Sequence, residues 1–180
     1  MSQLIRFFIV DRVIFYKVGI RRMRDKRFVA VHRGGQLSKE DHRKLMKWAR
    51  SCFERVLLYY GKELDEPLRN AVKVAEDWQN GKCSTGDAIK ASRKVHAFAK
   101  TIECPVVYAV ARAVGQGVAT AHMADHCMGA ALYALKAVKL AGKSFEEERS
   151  WQLEQLEDLP EDLATLIKTT IAVKAKGLGL

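Results

Sequence analysis

Pro105-Val-Val-Tyr-Ala-Val-Ala-Arg-Ala-Val-Gly115-Gln-Gly117-Val-Ala-Thr-Ala-His122-Met-Ala-Asp125-His126-Cys-Met-Gly-Ala-Ala-Leu-Tyr-Ala-Leu-Lys-Ala-Val-Lys-Leu140 carries the clearest fold signal in the chain. It is rich in alanine and valine and nearly free of charge, so it is expected to be buried on most sides rather than along one stripe. Gly115 and Gly117 sit in its middle, where a break or a close helix crossing is expected. The stretch therefore divides into two central helices, roughly 105–115 and 117–141, the second ended by Gly142.

Working outward, the flanking segments repeat apolar residues at three- and four-residue spacing. Ser38, with Glu40 and Asp41 in the first turn, starts a helix whose inner face is Leu45, Trp48, Ala49, Cys52, Phe53, Val56, Leu57 and Tyr60, ended by Gly61. A second helix opens near Asp65 with Pro67 in its first turn, buries Leu68, Ala71, Val72, Ala75 and Trp78, and stops at Asn80-Gly81. Ser84 or Thr85 caps a third, with Ala88, Ile89, Ser92, Val95, His96 and Ala99 inward. Ser144 and Glu147 have capping-box spacing ahead of a helix through Trp151, Leu153 and Leu156. Pro160 starts a last helix to about Lys174, and residues 176–180 are expected to fray. Residues 24–37 read as an irregular lead-in. The expected architecture is all-α, a compact bundle of six to seven helices in a single domain over residues 23–180.

Residues 1–22 differ from the rest. The runs Phe7-Phe8-Ile9-Val10 and Val13-Ile14-Phe15-Tyr16 are interrupted by Asp11 and Arg12, too soon for a signal-peptide core or a membrane span. The segment reads as an N-terminal extension, either a short β-ribbon or an added helix, or as a stretch upstream of a natural start at Met23.

Formal charge is +10 and the isoelectric point near 9.6. Five basic residues against one acid in residues 1–22 contribute +4, and the remaining +6 is spread along helix faces. A dispersed excess favours solubility more than nucleic-acid recognition, and no RNP, zinc-finger or phosphate-cradling motif accompanies it. Nucleic acid is not the expected partner, and no membrane is. Cys52, Cys83, Cys104 and Cys127 form no CxxC pair and are read as reduced thiols in a cytoplasmic protein.

One constellation carries chemistry. His122 and His126 are four apart, with Asp125 beside them. On one helix face they approximate the H-x-x-E-H arrangement of inverted zinc peptidases, with Asp in place of Glu. Two imidazoles one turn apart hold zinc or a similar divalent ion when another helix adds a third ligand, and His96 is the candidate. Three readings stay open: core histidines bonded to backbone or carboxylate, metal ligands, or acid-base groups. No catalytic residue is assigned and no cofactor is required. Gly115-x-Gly117 is not a dinucleotide fingerprint, because Thr stands at 120 and no strand precedes it. Trp48, Trp78 and Trp151 are expected in the core, and Glu146-Glu147-Glu148 on a solvated first turn.

Arg33-Gly34-Gly35-Gln36-Leu37-Ser38, Trp48-Ala49, Trp78 with Gly81, and Lys94-Val-His96-Ala97 resemble one known family. So do Ala111-Arg112-Ala113-x-Gly115 and Ala119-Thr120-Ala121-His122-Met123, continuing through His126, Gly129-Ala130-Ala131 and Trp151-Gln152. The set resembles the Imm-5-like putative immunity proteins, small helical proteins of bacteria and archaea, over roughly residues 24–160. The resemblance implies a non-catalytic cytoplasmic protein that protects its producer by binding a cognate polymorphic toxin. Residues 1–22 lie outside the pattern. The basic charge also departs from the acidic surface of an inhibitor that mimics nucleic acid in a nuclease cleft. Two alternatives stand beside this reading: a metal-binding or metal-dependent helical enzyme using His96, His122 and His126, and a homodimeric structural or regulatory module.

Overall fold

The computed structural model describes residues 24–180; the expectations for residues 1–22 and for a start at Met23 lie outside them. Seven α-helices follow one another within that range: α1 (Lys39–Val56), α2 (Glu66–Gln79), α3 (Thr85–Ala99), α4 (Pro105–Ala119), α5 (His126–Leu140), α6 (Phe145–Glu154) and α7 (Glu161–Gly177). The all-α expectation holds.

Side-chain size explains why α4 and α5 form the centre. Nine of fifteen residues are buried in each, most of them Ala, Val or Gly. Helices lined with such residues approach closely and bury their backbones along with their side chains. The two helices share the most extensive interface in the molecule; α1 lies against both, α2 and α3 cover α4, and α6 and α7 pack on α5. Phe53, Leu45, Met46, Leu68, Met128 and Leu135 fill the interior between them.

Local signals set the helix ends. The Ser38 hydroxyl accepts from the Asp41 amide at 2.9 Å, and Ser84 with Asp87 forms a complete capping box at α3. Ser144 accepts from the Glu147 amide at α6. Gly61 (φ +77°) and Gly81 (φ +73°) end the first two helical segments in the left-handed region that L side chains rarely enter. The lead-in contains two 3₁₀ turns, Lys26–Phe28 and Val31–Arg33, and an isolated bridge between Ala30 and Leu37. These seat Phe28 and Leu37 on the core.

Four expectations are corrected. The central stretch does not break at Gly115-Gln116-Gly117; α4 runs through both glycines and the chain turns at residues 120–125. Their hydrogen atoms make room for neighbours: a Cβ on Gly117 would collide with the Phe53 ring, and one on Gly115 would stand 2.6 Å from the His96 ring. The C-terminus does not fray. α7 continues to Gly177, Leu178 and Leu180 pack against the core, and the Leu180 amide donates to Ala175 at 3.0 Å. Trp78 and Trp151 are half-buried, unlike Trp48. Glu148 is buried rather than solvated, because Arg55 and Gln152 satisfy its carboxylate.

Candidate functional site

His122 and His126 do not share a helix face. α4 ends in a tightened turn, with the Thr120, Ala121 and His122 amides bonded to Gly117, Val118 and Ala119 carbonyls. His122 therefore lies in the α4–α5 turn, and His126 is the first residue of α5. The turn nevertheless brings the two rings together, with centroids 5.3 Å apart and planes tilted by 40°. His96 approaches from α3. All three line one cleft of about 260 Å³, together with Ile89, Ser92, Arg93 and Ala119. Among the described residues, no set of three His, Cys, Asp or Glu side chains is disposed to share one ion. Sequence spacing thus found the three histidines that converge, although the helix-face geometry behind the pairing of His122 and His126 is wrong.

Two glycines and a glutamine build this end of the bundle. Gly115 admits the His96 ring, while Ser92 Oγ donates to the Gly115 carbonyl at 3.1 Å and ties α3 to α4. Gly129 admits the Gln116 side chain, whose Oε1 would lie 2.8 Å from a Cβ at that position. Gln116 Oε1 in turn stands 2.6 Å from His126 Nδ1. A carboxamide oxygen only accepts, so Nδ1 carries the proton and the lone pair of the neutral ring resides on Nε2. Burial pushes the His126 pKa down to about 4, against the opposing pull of Asp125. His122 is lowered as well, first by burial and then by Arg24. Both shifts favour the neutral imidazole.

Polar atoms at this end are incompletely paired. His122 Nδ1 and Asp125 Oδ1 are buried and have no well-formed hydrogen bond among the described residues; the Ala119 carbonyl interacts with the His122 ring and favours its charged form. The other Asp125 oxygen lies 3.4 Å from Arg24 Nε. Buried groups in native proteins are nearly always satisfied, so two such atoms within one turn mark a place to look for a ligand or ordered water.

Sequence reasoning missed two contributors. His42 of α1 donates from Nε2 to the Thr120 carbonyl at 2.6 Å, closing the exposed carbonyl end of α4, and packs edge-on against Trp78. Gln116 was passed over as the residue between two glycines. Neither has a local signature, since each acts across helices. A second surface feature lies further along α4, where the Arg112 guanidinium stacks 5.2 Å from the Tyr133 ring centre and 6.0 Å from that of Tyr108.

No described helix is long and apolar enough to cross a membrane. No curated protein and no solved structure matches the chain. The family model described as Imm-5 like putative immunity protein matches residues 35–159, from the bridge before α1 to the end of the α6–α7 connection. That span takes in most of the chain and the whole histidine-lined end of the bundle, and the chain belongs to the Imm-5 like putative immunity protein family.

Proposed function

We propose that this protein is a non-catalytic, cytoplasmic binding protein that neutralises a cognate toxin by covering its active surface. Family membership over residues 35–159 carries the reading. Four free cysteines fit a reducing compartment. The net charge of +10 favours an acidic face on the partner, which speeds encounter and excludes like-charged competitors.

Arg112 between Tyr108 and Tyr133 has the composition of an interface anchor: a guanidinium held by aromatic rings, with its Nε already desolvated among the described residues. The test is co-expression with the toxin-like product of a neighbouring gene. The expected result is restored growth and co-elution of the two purified proteins, with Arg112→Ala weakening the complex by about 2 kcal/mol or more. Unrelieved toxicity together with separate elution overturns the reading.

A further inference from the structure

We infer that His122 and His126 form a two-imidazole site for a first-row divalent ion at the α4–α5 turn, independent of toxin binding. Four observations converge on it. The rings are 5.3 Å apart between centroids, and two imidazoles that share one ion at roughly 2.0–2.1 Å have ring centres about 5 Å apart. His126 is already oriented as a ligand. Its Nδ1–H is held by Gln116 at 2.6 Å, leaving the Nε2 lone pair available; second-sphere acceptors hold metal-binding histidines in the same way. Gln116 is itself seated by the absent side chain of Gly129, so the arrangement belongs to the core packing of α4 against α5 and not to a surface accident.

The remaining observations concern charge and space. Asp125 adjoins His126 and has a buried Oδ1 without a partner among the described residues. Its carboxylate, whose other oxygen faces Arg24 Nε at 3.4 Å, is the negative group beside an incoming dication and offsets the positive charge of Arg24 and of Arg93 in the cleft lining. The rings border a cleft of about 260 Å³, which leaves room for water or an external ligand in the other coordination positions. Among the described residues, no third histidine, cysteine or carboxylate is placed on the same ion, so the remaining positions fall to water or an external ligand. The chemistry therefore favours Zn²⁺, Ni²⁺ or Cu²⁺, which imidazole binds well, over Mg²⁺ or Ca²⁺, which require oxygen. Gln116 is a positioning residue, acting through His126.

The test is titration of the untagged full chain with Zn²⁺ and, separately, Cu²⁺, read by calorimetry and by nitrogen-15 spectra of the imidazoles. The expected result is one equivalent bound, with His122 and His126 resonances shifting while those of His32 and His42 stay in place. The His122→Ala/His126→Ala variant should lose the equivalent. Gln116→Ala should weaken binding about 10- to 100-fold and release His126 from its single tautomer. Less than one equivalent in the wild-type protein, shifts confined to other histidines, or undiminished binding by a double variant that keeps its helical circular-dichroism spectrum would overturn the site. If the double variant does not fold, the wild-type spectra decide between the same two outcomes.

Discussion

Two polar clusters border α5, one where α1 and α6 meet beside it and one at its N-terminal turn, and they are finished to different degrees. At one, Glu148 of α6 receives Arg55 Nε at 2.7 Å and Gln152 Nε2 at 3.0 Å. Gln152 also donates to the Ala131 carbonyl, and its own carbonyl accepts from Trp48 Nε1 at 2.8 Å. The Arg55 guanidinium lies 4.5 Å from the Trp151 ring centre. At the other, His122 Nδ1 and Asp125 Oδ1 are orphaned among the described residues while Gln116 holds His126. A fully bonded network specifies how helices dock; a partly bonded one lowers stability unless something else completes it. The first cluster is therefore read as structural and the second as a site.

That contrast is breakable by experiment, with the largest effect at the structural cluster. Arg55→Ala strands the Glu148 carboxylate in a site where it is only 5% exposed. Because Arg55 is itself half exposed, the expected cost is about 2–3 kcal/mol rather than the upper range for a buried pair, measured by urea unfolding. His122→Ala removes a side chain with no well-formed hydrogen bond among the described residues and should cost well under half as much. Equal losses would erase the distinction between the clusters.

Zinc should separate them next. At 100 times its dissociation constant, an ion that binds only the folded state adds about 2.7 kcal/mol. Thermal denaturation should show a gain in the wild-type protein and in Arg55→Ala, and none in His122→Ala/His126→Ala. Glycine substitutions give a smaller effect. Gly117→Ala should destabilise by about 1–3 kcal/mol through the Phe53 ring, despite alanine's better helix propensity. Gly129→Ala displaces the end of a flexible glutamine and should lose less stability while impairing zinc binding.

Acid pH sharpens the comparison further. His42 is half-buried and its pKa is lowered from 6.5, mainly by desolvation, against the opposing Thr120 hydrogen bond. A depressed histidine binds fewer protons folded than unfolded, so its stabilising contribution is complete above the unfolded pKa of 6.5. It declines as pH falls from there toward the folded value. Chemical denaturation from pH 7.5 to 5 should show that decline, and His42→Gln should reduce it without abolishing it, because His122 and His126 are depressed as well and contribute to the same loss. The smallest effect belongs to the exposed Lys47–Asp158 pair at 2.9 Å. Lys47→Ala should leave the unfolding midpoint unchanged, since solvent screens such pairs.

Most of the fold was legible from residues close together in sequence. Helical periodicity and serine caps act over three or four positions, and the glycine stops at 61 and 81 act at their own positions. These features define the all-α class and most helix starts. The histidine cluster was legible only in membership. His122 and His126 were paired through a helix that ends before them, and Gln116 gave no sign of its role. Reading Gly115 and Gly117 as a break failed because the same residues serve close packing, and a one-dimensional pattern does not distinguish the two uses.

Sequence alone thus determined the helical class, the capping residues and the three histidines worth following, because propensity, capping and hydrophobic period are local. Tertiary structure decided where the central helices part, which carboxylate of Glu146-Glu147-Glu148 is buried, and which imidazole nitrogen is available. Those outcomes depend on partners far along the chain: Arg55 meets Glu148 across 93 positions, Trp48 meets Gln152 across 104, and His42 meets Thr120 across 78. Such contacts form only when helices pack, and the same packing desolvates His126 and fixes its proton on Nδ1.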